Sequence, residues 1–265
     1  MTELVEIGPW QLVMATCLIL LNGALSLWLR IGLTRKVLIA SARTVVQLLL
    51  LGWILVPIFT FEQPWMVVGI GVLMIALAAR EAVRRSARTY RGIHGAAFFA
   101  LLIGCGGSAL LGSAVIVGVE PWWDPRYLIP LLGMVLGNAL TGLSLGIDRC
   151  LSVLDEQRPR VEALLSMGAT WWEAARPVAA ESVRMAMIPI LNAMSAVGLV
   201  TIPGMMTGQL LGGTPPDQAA RYQIVIMFMI AAAVALGSVL AVLISLRALF
   251  DGDHRLRHER IRRRG

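Results

Sequence analysis

Long apolar runs alternate with short polar joints along this chain, and the runs set its architecture. Seven windows are long and apolar enough to cross a hydrocarbon core of about 30 Å, which takes roughly 20 helical residues. They fall near Trp10 to Leu29, Val37 to Thr60, Trp65 to Ala79, Ala96 to Val119, Tyr127 to Ile147, Met187 to Leu211 and Tyr222 to Leu246, the third being short. The expected fold is an all-α integral membrane protein of about seven transmembrane helices, with residues 1–265 forming a single domain. The opening stretch "MTELVEIGPW" has two glutamates and no basic residue. It lacks the positive region of a secretory signal, so the first run is expected to stay as a span. Composition agrees with a membrane reading: 57% of the 265 residues are hydrophobic and 15% charged, far from the balance of a soluble domain.

Charge adds an orientation. Basic residues select the cytoplasmic side. Of the 23 Lys and Arg residues, all but Arg43, Arg126 and Arg221 fall on one set of joints: after spans one, three and five, and in the tail 247–265. The opposite joints carry Glu3, Glu6, Glu62, Glu120, Asp124 and Asp217. The N-terminus is therefore expected outside and the C-terminus in the cytoplasm. A re-entrant hairpin around Thr201 would turn the arginine-rich tail outward, so the sixth window reads as a kinked crossing helix. The net charge of +7 then reflects topology and attraction to anionic lipid heads, not nucleic-acid binding.

Polar positions inside the spans carry the chemistry. The run "TIPGMMTGQLLGG", Thr201 to Gly213, places a Pro-Gly pair, two methionines, a threonine and a glutamine in an apolar stretch. Such backbone belongs against protein or a cavity, not lipid. Met194, Gly198, Thr201, Met205 and Gln209 recur at helical intervals, with Asn192 nearby. They predict one helical face that walls a transport pathway. An alternative stays open, in which the methionines fill irregular gaps and the polar atoms bond neighbouring helices. Thioethers suit soft metals such as cuprous copper, whereas a ferric ion prefers oxygen. Glycines and serines at close spacing in spans four and five predict tight helix packing. Arg43 and Gln47 share a face of span two, and Arg43 is expected to snorkel. Cys17, Cys105 and Cys150 read as small buried residues, and His254 and His258 as solvated members of a basic tail.

The longest polar segment, 148–183, is helical in pattern and breaks at Gly168 and Ala169. Thr170 and Glu173 form a T-x-x-E capping box that starts a short helix with Trp171 and Trp172 in its first turn. Two aromatic anchors there suit lipid or a partner's groove.

The stretch "RVEALLSMGATWWEAARPV" resembles the cytoplasmic coupling loop of ABC-transporter permeases. Glu162, Ala163 and Gly168 match its spacing, while Leu164 replaces an alanine and the downstream Ile-x-Leu-Pro part is absent. With "IPGMMTGQLLGG" and "RYQIVIMF", the chain from about Leu18 to Phe250 resembles the FetB family of permeases. That resemblance implies a permease in the bacterial cytoplasmic membrane, linked to iron export and oxidative-stress resistance, with plant relatives linked to aluminium tolerance. It implies a FetA-like ATPase partner that binds ATP, and no cofactor on this chain. Glu162, Gly168 and Ala169, with Trp171 and Trp172, would form the coupling region. Pro203, Gly204, Met205, Met206, Thr207, Gly208 and Gln209 would form the signature of the sixth span.

The residues add two constraints. No G-x-x-x-x-G-K-[ST] loop is present, and the single lysine, Lys36, follows an arginine, so any ATP hydrolysis belongs to a partner. A symmetric transporter then needs two copies of this chain, most simply a homodimer. The rivals are an ion-coupled carrier, which would usually bury a carboxylate that no span contains, and a membrane scaffold, which would leave the polar positions of span six unexplained.

Overall fold

The computed structural model describes residues 8–263. The segment with Glu3 and Glu6, and Arg264, lie outside the described residues. The described residues are all-α apart from one pair of two-residue strands. The helices are α1 (Pro9–Trp28), α2 (Thr34–Phe61), α3 (Pro64–Arg84), α4 (Ile93–Leu101), α5 (Gly107–Leu110), α6 (Pro125–Glu156), α7 (Arg158–Ser166), α8 (Trp171–Ala196), α9 (Gly204–Leu211) and α10 (Pro216–Leu249). Wide π-type turns at Leu102–Gly106 and Leu111–Val117 join and extend α4 and α5, so 93–117 runs as one helical span. Six helical stretches are long and apolar enough to cross a membrane: α1, α2, α3, 93–117, α6 and α10.

Four of the predicted windows sit inside helices that run a little longer, while the first ends one residue past its helix and the fourth two. The window Met187 to Leu211 is different. It holds the end of α8, a non-helical segment from Val197 to Pro203, and the eight-residue α9. Gly198 has φ +83°, in the left-handed region where a side chain is strained, and Pro203 has no N–H to give. These residues stop α8, so the one-face alignment from Met194 to Gln209 does not exist.

The chain divides into two compact units, Met1–Glu62 with Leu211–Gly213, and Gln63–Leu210 with Thr214–Gly265. In the first, α1 and α2 are joined by bonds from the Leu33 N–H to Ser26 Oγ (3.0 Å) and from Thr34 Oγ1 to the Gly23 carbonyl (3.3 Å). Most of their large apolar side chains are exposed, as is Cys17, which the sequence reading had buried. Arg43 and Gln47 are exposed too.

In the second unit, α6 packs against α8 and α10, and α3 against α6 and α4. Leu143, Ile147, Leu151 and Leu154 recur at intervals of three and four on α6 and are fully buried, the spacing of a core-facing stripe. Cys105 and Cys150 are buried, as expected. The small residues do the packing predicted of them. A methyl group added at Gly142 would lie 2.7 Å from the Ala186 carbonyl oxygen on α8 and 2.8 Å from Val234 on α10. At Gly104 it would lie 2.7 Å from the backbone of Gly237 on α10. Gly137, one helical turn and a half before Gly142, faces open space.

Gly142→Ala is therefore expected to destabilise the protein in detergent by about 1–3 kcal/mol, the usual cost of overpacking. Gly137→Ala should be neutral or stabilising, since alanine is the better helix former by about 1 kcal/mol. Thermal unfolding of both variants checks the contrast, and equal midpoints would mean that the α6–α8 approach does not limit stability.

Candidate functional site

The interruption of α8 makes a site where the expected helix face would have made a surface. Two adjoining cavities, of about 520 Å³ and 330 Å³, open beside it. Both are walled by Val197, Thr201 and Pro203 from the break and by Gln223 and Met227 from α10. The larger adds Met194 from α8 and Met206 from α9; the smaller adds Met134 and Asn138 from α6, with Gly204 and Met205. The structure thus brings Met194, Thr201, Pro203, Gly204, Met205 and Met206 together by breaking the helix. Asn192, Thr207 and Gln209 line neither cavity. Asn192 is exposed on α8, and the Thr207 hydroxyl donates back to the Pro203 carbonyl at 3.2 Å.

Sequence reasoning missed Gln223, Asn138, Met134 and Met227. Gln223 is 8% exposed, and its amide oxygen, closed to solvent, has no hydrogen-bond partner among the described residues. A buried acceptor left unpaired costs about 1–3 kcal/mol, so a residue kept there invites a functional account. No carboxylate, imidazole or thiol lines either cavity among the described residues. The donors are thioethers, amides, a hydroxyl and backbone.

The second region lies at the basic end of the bundle. Helix α7 closes with a Schellman turn: Gly168 at φ +92° donates to the Leu165 carbonyl at 3.0 Å, and Ala169 to that of Leu164 at 3.1 Å. Thr170 and Glu173 form the expected capping box, Thr170 N–H to Glu173 Oε2 at 2.7 Å and Glu173 N–H to Thr170 Oγ1 at 3.3 Å. The helix it starts is not short. It is the 26-residue α8, which at 1.5 Å per residue extends roughly 39 Å from the Gly168 turn to the cavity wall.

Most of the tail's arginines and His254 are exposed, as expected, but the tail is also folded and tied to the helices. Residues Phe250 to Leu256 close a small hairpin, and Arg262–Arg263 pairs with Arg88–Thr89 as a two-strand ladder. Asp155, at the end of α6, accepts from Arg88 Nε (3.0 Å), Arg263 Nη2 (3.1 Å) and His258 Nε2 (2.8 Å). His254 Nδ1 accepts from the Trp171 N–H at 3.3 Å. The Trp171 ring, read as a lipid or partner anchor, stacks within the protein: 5.7 Å from Trp172, 6.1 Å from Phe250, with the Arg247 guanidinium 5.4 Å above it. Trp172 remains 40% exposed. Glu162 accepts from Arg158 one turn before it (2.7 Å) and lines a polar cavity of about 480 Å³ with Ser166, Asp253, His254 and Arg255.

Backbone donors hold two carboxylates of this region below their usual range, Glu173 through the Thr170 N–H and Asp251 through that of Arg255. Folded affinities for the proton that lie below the unfolded ones add stability above the ordinary carboxylate value of about 4, and lose it as pH falls through the folded value.

With six helical stretches long and apolar enough to cross a membrane, the chain is a multi-pass helical membrane protein. A sequence profile of the uncharacterised protein family UPF0014 matches residues 9–250, and the chain belongs to that family. It is 37% identical to a UPF0014 membrane protein of Synechocystis over 80% of this chain and 82% of the relative. It is 27% identical to the probable iron export permease protein FetB of Escherichia coli, over 86% of each chain. It is 29% identical to the protein ALUMINUM SENSITIVE 3 of Arabidopsis thaliana, over 91% of this chain and 87% of that one. No solved structure matches the chain.

Asp155→Ala should free the tail, removing up to about 2 kcal/mol of charge-assisted bonding. Trypsin is expected to cut at Arg255 to Arg263 several-fold faster, and an unchanged rate would place the hold on the tail elsewhere. Acidification below about pH 4 should loosen the hairpin at Asp251 and the start of α8 together, read as lost amide-exchange protection at Arg255 and Thr170.

Proposed function

We propose that this chain is the membrane permease subunit of an ABC transporter that exports a metal ion, with iron favoured. Its place is the bacterial cytoplasmic membrane, N-terminus outside and tail inside. Two copies assemble with two cytoplasmic ATPase subunits, which hydrolyse the ATP. Family membership and the name of the FetB relative support the substrate and the machine, and the one-sided arginines support the orientation. Because the chain has no phosphate-binding loop, a pump built from it needs a partner for energy.

One observation carries the mechanism: α8 connects the two regions without interruption. A partner that closes on ATP and pushes the Gly168 turn moves Trp171 and the first turn of α8, which the capping box keeps intact. The helix carries that displacement to Met194 and the break, where the cavity wall changes shape. Export follows if the two shapes differ in affinity for the ion.

The decisive experiment is co-purification with an ATPase encoded beside this gene, followed by ATP turnover in liposomes as iron is titrated. A stable complex with metal-stimulated turnover is expected; the absence of both a partner and stimulation would sink the ABC reading. Gly168→Asp forces a side chain into φ +92° and sets a charge on the turn, so it should abolish stimulation of the ATPase while the protein still inserts. Unaltered stimulation would remove the Gly168 turn from the coupling path.

A further inference from the structure

We infer that the paired cavities form a binding site for a soft, singly charged metal cation of the cuprous or silver type, held by methionine thioethers with the Gln223 amide. The inference keeps the metal-export reading but replaces its favoured iron with another class of ion, and it rests on reading these cavities as the transport pathway. Its grounds are the donors and the charge. Met134, Met194, Met205, Met206 and Met227 come from α6, α8, α9 and α10 to line one or other chamber. In sequence the nearest of them to Met227 is 21 residues away. No local periodicity collects them; the fold does.

Thioethers are neutral and soft, and they select Cu(I)-like cations over hard ones. The charge of the site points the same way. Among the described residues neither chamber has a carboxylate, and no cluster of three or more His, Cys, Asp or Glu residues exists. The cost of moving an ion out of water rises with the square of its charge, so a neutral site suits one positive charge and disfavours three. A ferric or aluminium ion would meet neither oxygen anions nor counter-charge here.

Gln223 supplies the second, independent sign of a ligand. Its buried oxygen has no donor, and its side chain lies on the wall shared by both chambers. The last torsion of a glutamine is soft, so a turn of the amide presents that oxygen to either side. A cation between the chambers completes it.

The test is direct binding to the purified chain in detergent, without any ATPase, with the exposed Cys17 replaced by serine in every sample and silver nitrate in chloride-free buffer as a redox-inert probe. The otherwise wild-type chain is expected to retain silver through desalting, with sulfur in its X-ray absorption shell. Met227→Leu and Gln223→Leu should each weaken retention by about tenfold or more, in the range seen when groups around a metal are removed. Met167→Leu, at an exposed turn outside both chambers, should not. Gln223→Leu guards against a folding artefact: removing an orphaned amide should leave thermal stability equal or higher. Loss of silver with stability kept therefore supports a ligand role, while silver retention unchanged in both chamber variants overturns it. So does ferric citrate displacing silver at equal concentration. Silver binding with no ATPase partner would sink the ABC reading and leave this site standing; an active complex without silver binding would do the reverse.

Discussion

A backbone amide or carbonyl left unpaired in hydrocarbon costs several kcal/mol, and this constraint decides where the chain is allowed to stop being helical. Among the described residues, the interruption between α8 and α9 shows how the debt is met. The carbonyl of Ala196 takes the N–H groups of Val200 and Thr201 at 2.9 and 3.3 Å, and the Thr201 carbonyl takes that of Gly198 at 2.9 Å. Pro203 removes one donor from the account, and its carbonyl receives the Thr207 N–H at 3.0 Å. These bonds pair part of the segment within itself, without a neighbour's backbone. Helices α6 and α10 are continuous where they flank it, with α10 lining both chambers and α6 the smaller one.

Much of this was legible beforehand, and the parts that were not share a physical cause. Long apolar windows predicted α1, α2, α3, α6 and α10, because span length is set by the bilayer. The Thr170 capping box and the Gly168 turn were also readable, because caps and left-handed glycines are local. The alignment of Met194, Gly198, Thr201, Met205 and Gln209 failed for a reason present in the sequence: Gly198 and Pro203 lie inside the stripe, and a helical spacing carries no weight where the backbone is not helical. Gln223 lies in the stretch "RYQIVIMF" but nothing local gave it a role, and Asn138 had no local signal. They reach the site through the packing of α6 and α10 around α8, and an orphaned amide becomes visible only when its surroundings are known. The tail was legible only in part for a related reason. Its arginines read as solvated and are mostly exposed, yet Asp155, about a hundred residues earlier, still gathers Arg263 and His258.

Stiffness is distributed unevenly in the second unit, and the distribution suits transmission along α8. At its start the helix is capped by Thr170 and tied to the tail through His254, and three turns on it is held to α6 by the Arg149–Glu181 pair. In its middle, Gly142 and Gly146 on α6 leave no spare room against Ala186. Pro177 and Pro189 lie within the helix, each removing one backbone bond and marking a place where the axis is able to bend. Beyond Ala196 the chain is exposed, with Leu199, Val200 and Ile202 among its most solvent-accessible apolar residues. A displacement entering at Trp171 thus meets close packing first and compliance last, where the cavities are.

A neutral, methionine-lined chamber would also change what such a machine has to do. An ion held by carboxylates must be released against full Coulomb attraction in a low dielectric, and secondary carriers meet that cost with a proton. Thioether coordination has no charge to neutralise, and the methionine side chain is long and flexible, so affinity depends on how many sulfur atoms reach the ion at once. Moving the end of α8 and α9 relative to α10 would separate Met194 and Met206 from Met227. Coordination number, and with it affinity, would fall without any change of protonation. That is the kind of affinity difference between two states which alternating access requires, obtained from a helix displacement alone.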